Sequence, residues 1–134
     1  MIGIVFYAML FCHIVDDFYL QGVLANLKQE SWWEERFGKD SIYKDDYLVA
    51  LIEHGFSWAF MIMLPILIHM ICVGRVYTEF YCLSVCVNMT IHTIIDNAKA
   101  NHKTINLWQD QGMHFIQIAI TMAAYLILRT VTGG

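Results

Sequence analysis

From Gly55 to Gly74 the chain runs for twenty residues without an Asp, Glu, Lys or Arg. A run of roughly 18 or more apolar residues is long enough to cross hydrocarbon as a helix. A helix also satisfies its own backbone, which lipid cannot do for it. In a chain of only 134 residues, one such run already points to the bilayer as solvent. The remainder agrees: 58% of residues are hydrophobic and 15% charged, against about 45–50% and about 25% in soluble chains. A disordered or linker-rich chain would need the opposite balance. Eight Lys and Arg against twelve Asp and Glu leave no basic footprint for phosphate backbones, so no nucleic-acid partner is expected.

Four segments meet the length needed to span, at about 2–23, 47–73, 76–98 and 107–131. The expectation is a single all-α domain over 1–134, an integral membrane four-helix bundle with four transmembrane helices. Pro65 should kink the second span. The charged loop 25–46 contains Ser31-Trp32-Trp33-Glu34-Glu35-Arg36, which reads equally well as a short interfacial helix or as a solvated connector. The second connection is a tight turn at Gly74-Arg75 and the third a short polar link at 101–104. The N-terminus has no basic region and no small-residue cleavage site, so it should stay attached. Cys12, Cys72, Cys82 and Cys86 lie in apolar runs without C-x-x-C spacing, and are expected as buried thiols.

Lys28, Arg36, Lys39, Lys44, Lys99 and Lys103 fall on the side of the first and third loops, whereas Arg75 and Arg129 fall on the other. The positive-inside rule then makes loops 25–46 and 99–106 cytoplasmic and puts both termini outside. The setting expected is a bacterial inner membrane.

Ionisable groups inside spans are costly, about 2.5–3.5 kcal/mol for a central Asp on insertion scales, and therefore mark function. Here they are patterned. His13 and Asp17 are four apart in the first span, His92 and Asp96 repeat H-x-x-x-D in the third, and Asp110 and His114 reverse it in the fourth. Four residues is just over one helical turn, so each pair shares a helix face. His54 in the second span lies at the same depth, and a common level across four helices is what a site built between facing helices requires. His13, Asp17, His54, His92, Asp96, Asp110 and His114 are therefore the candidate metal ligands. They exceed the needs of one ion and suit two divalent ions, with Asp bridging. Mixed N and O donors suit zinc foremost, with manganese or iron as alternatives. Asp17, Asp96 and Asp110 are equally candidates for general base, and Lys99, one turn beyond Asp96, for holding an anionic substrate or snorkelling to the interface. Gln21 and Gln111 could orient ligands. Asp16 should face about 100° away from Asp17, and Glu53 flanks His54. His69 reads as packed or interfacial, His102 as a solvated loop residue, and Trp58 and Trp108 as packing or lipid-facing groups.

The order His13-Ile14-Val15-Asp16-Asp17-Phe18-Tyr19-Leu20-Gln21, His54, His92-Thr93-Ile94-Ile95-Asp96-Asn97-Ala98-Lys99 and Asp110-Gln111-Gly112-Met113-His114 resembles a bacterial and phage family of small multi-span membrane proteins of unknown function. It is similar, more weakly, to the predicted membrane-bound metal-dependent hydrolases of bacterial inner membranes. The H-x-x-x-D pairs also resemble, in spacing alone, the helical zinc-dependent phospholipase C and nuclease group.

These readings combine into an expected function: a metal-dependent hydrolase in the cytoplasmic leaflet, cleaving a phosphoester or phosphoanhydride of a lipid or amphipathic substrate. Membrane lipids are the expected partners, and the chain could pack as a homo-oligomer. Two alternatives stay open: an ion or proton translocator using the same residues, and a non-enzymatic membrane interaction protein with a structural metal.

Overall fold

The computed structural model describes residues 2–133. Its described residues form helices and no strand. Helix α1 (Ile2–Val15) passes without a break into one π-helical turn, Asp16–Leu20. Two short helices follow, α2 (Leu24–Leu27) and α3 (Glu30–Phe37), then the long helices α4 (Asp46–Cys72), α5 (Thr78–Ala100) and α6 (Leu107–Val131). The four segments expected to span lie on α1, α4, α5 and α6. The first ends at Leu20, short of Val23, because Gly22 takes a left-handed φ of 47° and turns the chain.

Local chemistry explains the ends. At the start of α6 the Asn106 side chain accepts from the Gln109 backbone N–H while the Gln109 side chain accepts from the Asn106 N–H, a reciprocal capping box. At the end of α4 the Gly74 N–H reaches the Ile71 carbonyl and the Arg75 N–H reaches the Met70 carbonyl, a pattern that needs the left-handed φ of 72° at Gly74. Helix α4 continues through Pro65. The stretch around Trp32 and Trp33 is helical, with the Arg36 guanidinium over the Trp32 ring.

Helix α4 is the centre of the bundle. It packs most extensively on α5 and then on α1, and it touches α2, α3 and the π turn; α6 closes the bundle against α5 and α1. The α4–α5 approach depends on Gly55, where a Cβ would come within 3.1 Å of the Met89 carbonyl and collide with the Thr93 hydroxyl.

The interior has two halves. Toward the termini it is apolar, with Met9, Trp58, Ile62, Ile66, Ile118 and Tyr125 buried together. Toward loops 21–45 and 101–106 it is polar: His13, Asp16, Asp17, His54, His92, Asp96, Asp110 and His114 are all buried there. The outer surface is the reverse, with Ile4, Phe11, Ile94, Ile120 and Ile127 more than 60% exposed. Apolar outside and polar inside is the arrangement lipid favours. Three helices, Ile2–Leu20, Asp46–Cys72 and Leu107–Val131, are long and apolar enough to cross a membrane. Helix α5 has the length, but Glu79, Asn88, His92, Asp96 and Lys99 dilute its apolar character.

The cysteines depart from expectation. Cys72, Cys82 and Cys86 are exposed and only Cys12 is partly covered. An apolar run in a membrane-type bundle supplies outward faces as well as inward ones, so apolar neighbours do not imply burial.

Replacing Gly55 by Val should lower stability by about 1–3 kcal/mol, the cost of overpacking a close contact. A denaturant titration of the detergent-solubilised variant should show the earlier midpoint; an unchanged midpoint would mean that α4 and α5 part freely.

Candidate metal centre

Each long helix brings its polar face to one point at the loop end. The H-x-x-x-D spacing works as expected on α5 and α6: His92 Nε2 lies 3.8 Å from Asp96 Oδ1 and His114 Nε2 lies 3.5 Å from Asp110 Oδ1. Contacts then cross between helices. His54 Nε2 is 3.3 Å from Asp17 Oδ1 and 3.4 Å from Asp96 Oδ2, and His114 Nε2 is 3.6 Å from Asp96 Oδ1. The donors form two groups, Asp17, His54, His92 and Asp96 in one and Asp17, Asp110 and His114 in the other, with ligand atoms inside each group within 4.8 Å of one another. Asp17 belongs to both.

The π turn changes what the sequence implied for Asp16. In a regular helix adjacent residues diverge by about 100°, yet here both aspartates are buried. His54 lies between them, its Nδ1 3.7 Å from Asp16 Oδ2, and Ser57 donates to Asp16 Oδ1 at 2.6 Å. The wider i→i+5 turn is what brings both carboxylates inward, and such turns occur mostly at functional sites.

His13 stands beside the two groups and outside them. The Trp58 indole N–H can only donate, so His13 Nδ1 accepts, at 2.8 Å. Its Nε2 then carries the proton and donates to Gln111 Oε1 at 3.1 Å. That leaves the Gln111 amide to donate to Asp17 Oδ2 at 2.8 Å and Asp110 Oδ2 at 3.0 Å. Both ring nitrogens of His13 are thus engaged, and the ring holds Gln111 against two carboxylates. Gln21 donates to the Asp17 backbone carbonyl.

Two lysines complete the cluster. Lys99 Nζ reaches Asp110 Oδ2 at 2.6 Å. Lys28, from the end of α2, is buried and reaches Asp96 Oδ2 at 2.5 Å. Sequence reasoning missed Lys28, because no periodicity links a short loop helix to α5. It also understated Trp58, which is fully buried and stacked on His92 with ring centroids 4.2 Å apart; His92 stacks in turn on His114 at 4.3 Å. His69 lies at the far end, bonded to the Tyr125 hydroxyl at 2.7 Å. His102 is exposed beside Asn97, Trp108 is exposed, and Glu53 points away from the cluster toward α2 and Trp33.

The donors fit a metal. Both ring nitrogens of His54, His92 and His114, together with Asp96 Oδ1, Asp110 Oδ1 and Asp16 Oδ2, are buried without a hydrogen-bond partner among the described residues. Each such atom costs about 1–3 kcal/mol, and together they would outweigh a typical folding stability of about 5–15 kcal/mol. Cations ligated by these imidazoles and carboxylates would satisfy several of them at once.

What fold and site define is an all-helical protein of membrane type whose buried His/Asp cluster could hold metal. The chain matches no protein-family model, no curated protein and no solved structure.

Trp58→Phe keeps a ring against His92 and removes the N–H that orients His13. It should cost about 1 kcal/mol or slightly more, the value of a buried hydrogen bond with its acceptor left unmade. The same substitution in a His13→Phe background should cost less, which a double-mutant unfolding cycle would reveal.

Proposed function

We propose that this chain is a four-span membrane protein carrying a di-metal hydrolase site that cleaves a phosphoester or phosphoanhydride of a lipid or amphipathic substrate. The carrying observation is the pair of donor groups sharing Asp17. A carboxylate common to two sets of ligands is what a bridged pair of ions needs. The groups also differ in number. Four donors complete the tetrahedral shell of a zinc-like ion, whereas three leave a position for water. The Asp110 and His114 side is therefore where water would be activated, with zinc foremost and manganese or iron as alternatives.

Two divalent ions would lower the pKa of a bound water and stabilise the attacking and leaving oxygens. Asp17 would hold the two ligand groups in register while Gln111, fixed by His13, keeps Asp17 and Asp110 oriented. Asp96 or Asp110 would accept the water's proton as its oxygen bonds to phosphorus. The ester P–O bond then breaks and the leaving oxygen takes up a proton. In this reading α5 crosses the bilayer with α1, α4 and α6, its polar side turned to the site. The lysine-rich loops 25–46 and 99–106 lie in the cytoplasm of a bacterial inner membrane, with both termini outside. The likeness to the predicted membrane-bound metal-dependent hydrolases supports the same reaction class.

The translocator reading is weaker. A conduit needs polar groups through both halves of the bundle, but Met9, Ile62, Ile66 and Ile118 are fully buried and close the terminal half.

Elemental analysis of the purified protein should find about two divalent ions per chain. His92→Ala should lose the ion of the four-donor group and His114→Ala that of the three-donor group, while Asp17→Asn should lose both. Each variant should remain monodisperse on gel filtration, and His114→Ala should abolish turnover of phosphoester substrates. No metal in reconstituted wild type would sink this reading.

A further inference from the structure

At the loop end of the bundle a polar cavity of about 420 Å³ opens between the end of the π turn, α2 and the end of α5, lined by Gln21, Lys28, Gln29, Asp96, Lys99 and Lys103. That volume falls in the range of small-molecule sites, roughly 300–1,000 Å³. Among these residues three lysines face one carboxylate. Two of the lysines also touch the cluster: Lys28 pairs with Asp96 and Lys99 with Asp110. The cavity therefore abuts the candidate metal centre, and its inner wall is the pair of ammonium groups that neutralise two of the ligands.

Charge balance says what would enter. With neutral imidazoles, the four carboxylates Asp16, Asp17, Asp96 and Asp110 against Lys28 and Lys99 leave a formal charge of −2. Two divalent ions would turn this to +2 in a site whose groups are buried, where an uncompensated charge is unfavourable. A monoanionic phosphodiester would leave half of that charge unmet. A terminal phosphate, dianionic above its second pKa near 6, would meet it all. Resting on the di-metal reading, we infer that the substrate presents a dianionic phosphate monoester group, which enters through this cavity and is gripped by Lys28, Lys99 and Lys103. Lysine serves phosphate as a movable point charge, so Lys28 and Lys99 can turn from their carboxylates to the incoming anion once metal neutralises Asp96 and Asp110. The cavity's mouth lies beside the aromatic α3 helix, at the end of the bundle where headgroups would stand. The monoester could then belong to a lipid or to a soluble molecule.

The test is equilibrium dialysis of radiolabelled inorganic phosphate against the full chain in detergent, loaded with Zn²⁺ and with its metal counted in the same sample, at about pH 8 where the phosphate is a dianion. The expected result is about one phosphate per chain, with affinity falling by about tenfold or more on metal removal or in Lys28→Gln, and severalfold in Lys103→Gln. Lys28→Arg should retain most of the binding, and dimethyl phosphate, a diester, should compete at least about tenfold more weakly than phosphate. Lys103 is exposed, so its variant remains informative even if Lys28→Gln fails to fold. Displacement by nanodiscs containing phosphatidic acid, and not by phosphatidylglycerol, would support a lipid monoester; displacement only by a soluble phosphomonoester would support a soluble one. Loaded metal with no bound phosphate, equal competition by the diester, or indifference to both lysine substitutions would overturn the inference and leave the metal centre standing. Phosphate bound as expected without turnover of any monoester would count against the hydrolase alone. Failure to load metal would overturn both.

Discussion

Four carboxylates packed into one end of a small helical bundle repel one another, and that end of the protein is organised around the repulsion. Burial makes it stronger, since an unpaired charge in a poorly solvated interior costs several kcal/mol. The chain answers in graded ways. Ser57 donates to Asp16, Gln111 donates to Asp17 and Asp110 together, and two lysines arrive from outside the bundle to hold Asp96 and Asp110. None of these reaches the inward oxygens Asp96 Oδ1 and Asp110 Oδ1 or the six nitrogens of His54, His92 and His114. What remains is a set of donors facing one another, a geometry that cations complete.

The other half of the interior makes this affordable. Apolar packing between α1, α4, α5 and α6 is concentrated toward the termini, and it fixes the helices so that the polar half need not hold itself together. Between the halves, Asn88, Gln117 and Thr121 exchange hydrogen bonds across α5 and α6, the kind of polar link that helices in lipid use in place of a hydrophobic drive. Gly55 removes the side chain that would otherwise separate α4 from α5 one residue away from His54. Close backbone approach and ligand position are thus set by adjacent residues.

The legible part of the site was the part that obeys helical periodicity. His92 with Asp96 and Asp110 with His114 lie one turn apart on single helices, and the spacing alone puts each pair on one face. His54 could be placed by its depth. Lys28 could not, because its position depends on how α2 folds back over the end of α5, and loop paths leave no periodic trace. His13 carried the right spacing to Asp17, yet its ring is taken up by Trp58 and Gln111; spacing locates a side chain and says nothing of which neighbour claims its nitrogens. The cysteines show the same limit from the other side, since the polarity of a run does not say which of its faces turns inward. The long helices themselves followed from apolar runs and their punctuation, as at Gly74 and at the Asn106 cap.

The π turn at Asp16–Leu20 carries one more residue than a regular turn would, and the two aspartates share the interior only because of it. Part of this site is therefore encoded as a count of residues, apart from their identity. Substitutions around Phe18 and Tyr19, whose side chains face outward, leave that count intact and can drift with the composition of the surrounding lipid. Loss or gain of a single residue there rotates everything on one side of the turn by about 100°, sending one carboxylate out of the cluster while leaving a well-formed apolar helix behind. A lineage carrying such a change would keep its membrane segment and lose its chemistry, so the length of this turn separates relatives that share the site from those that share only the bundle.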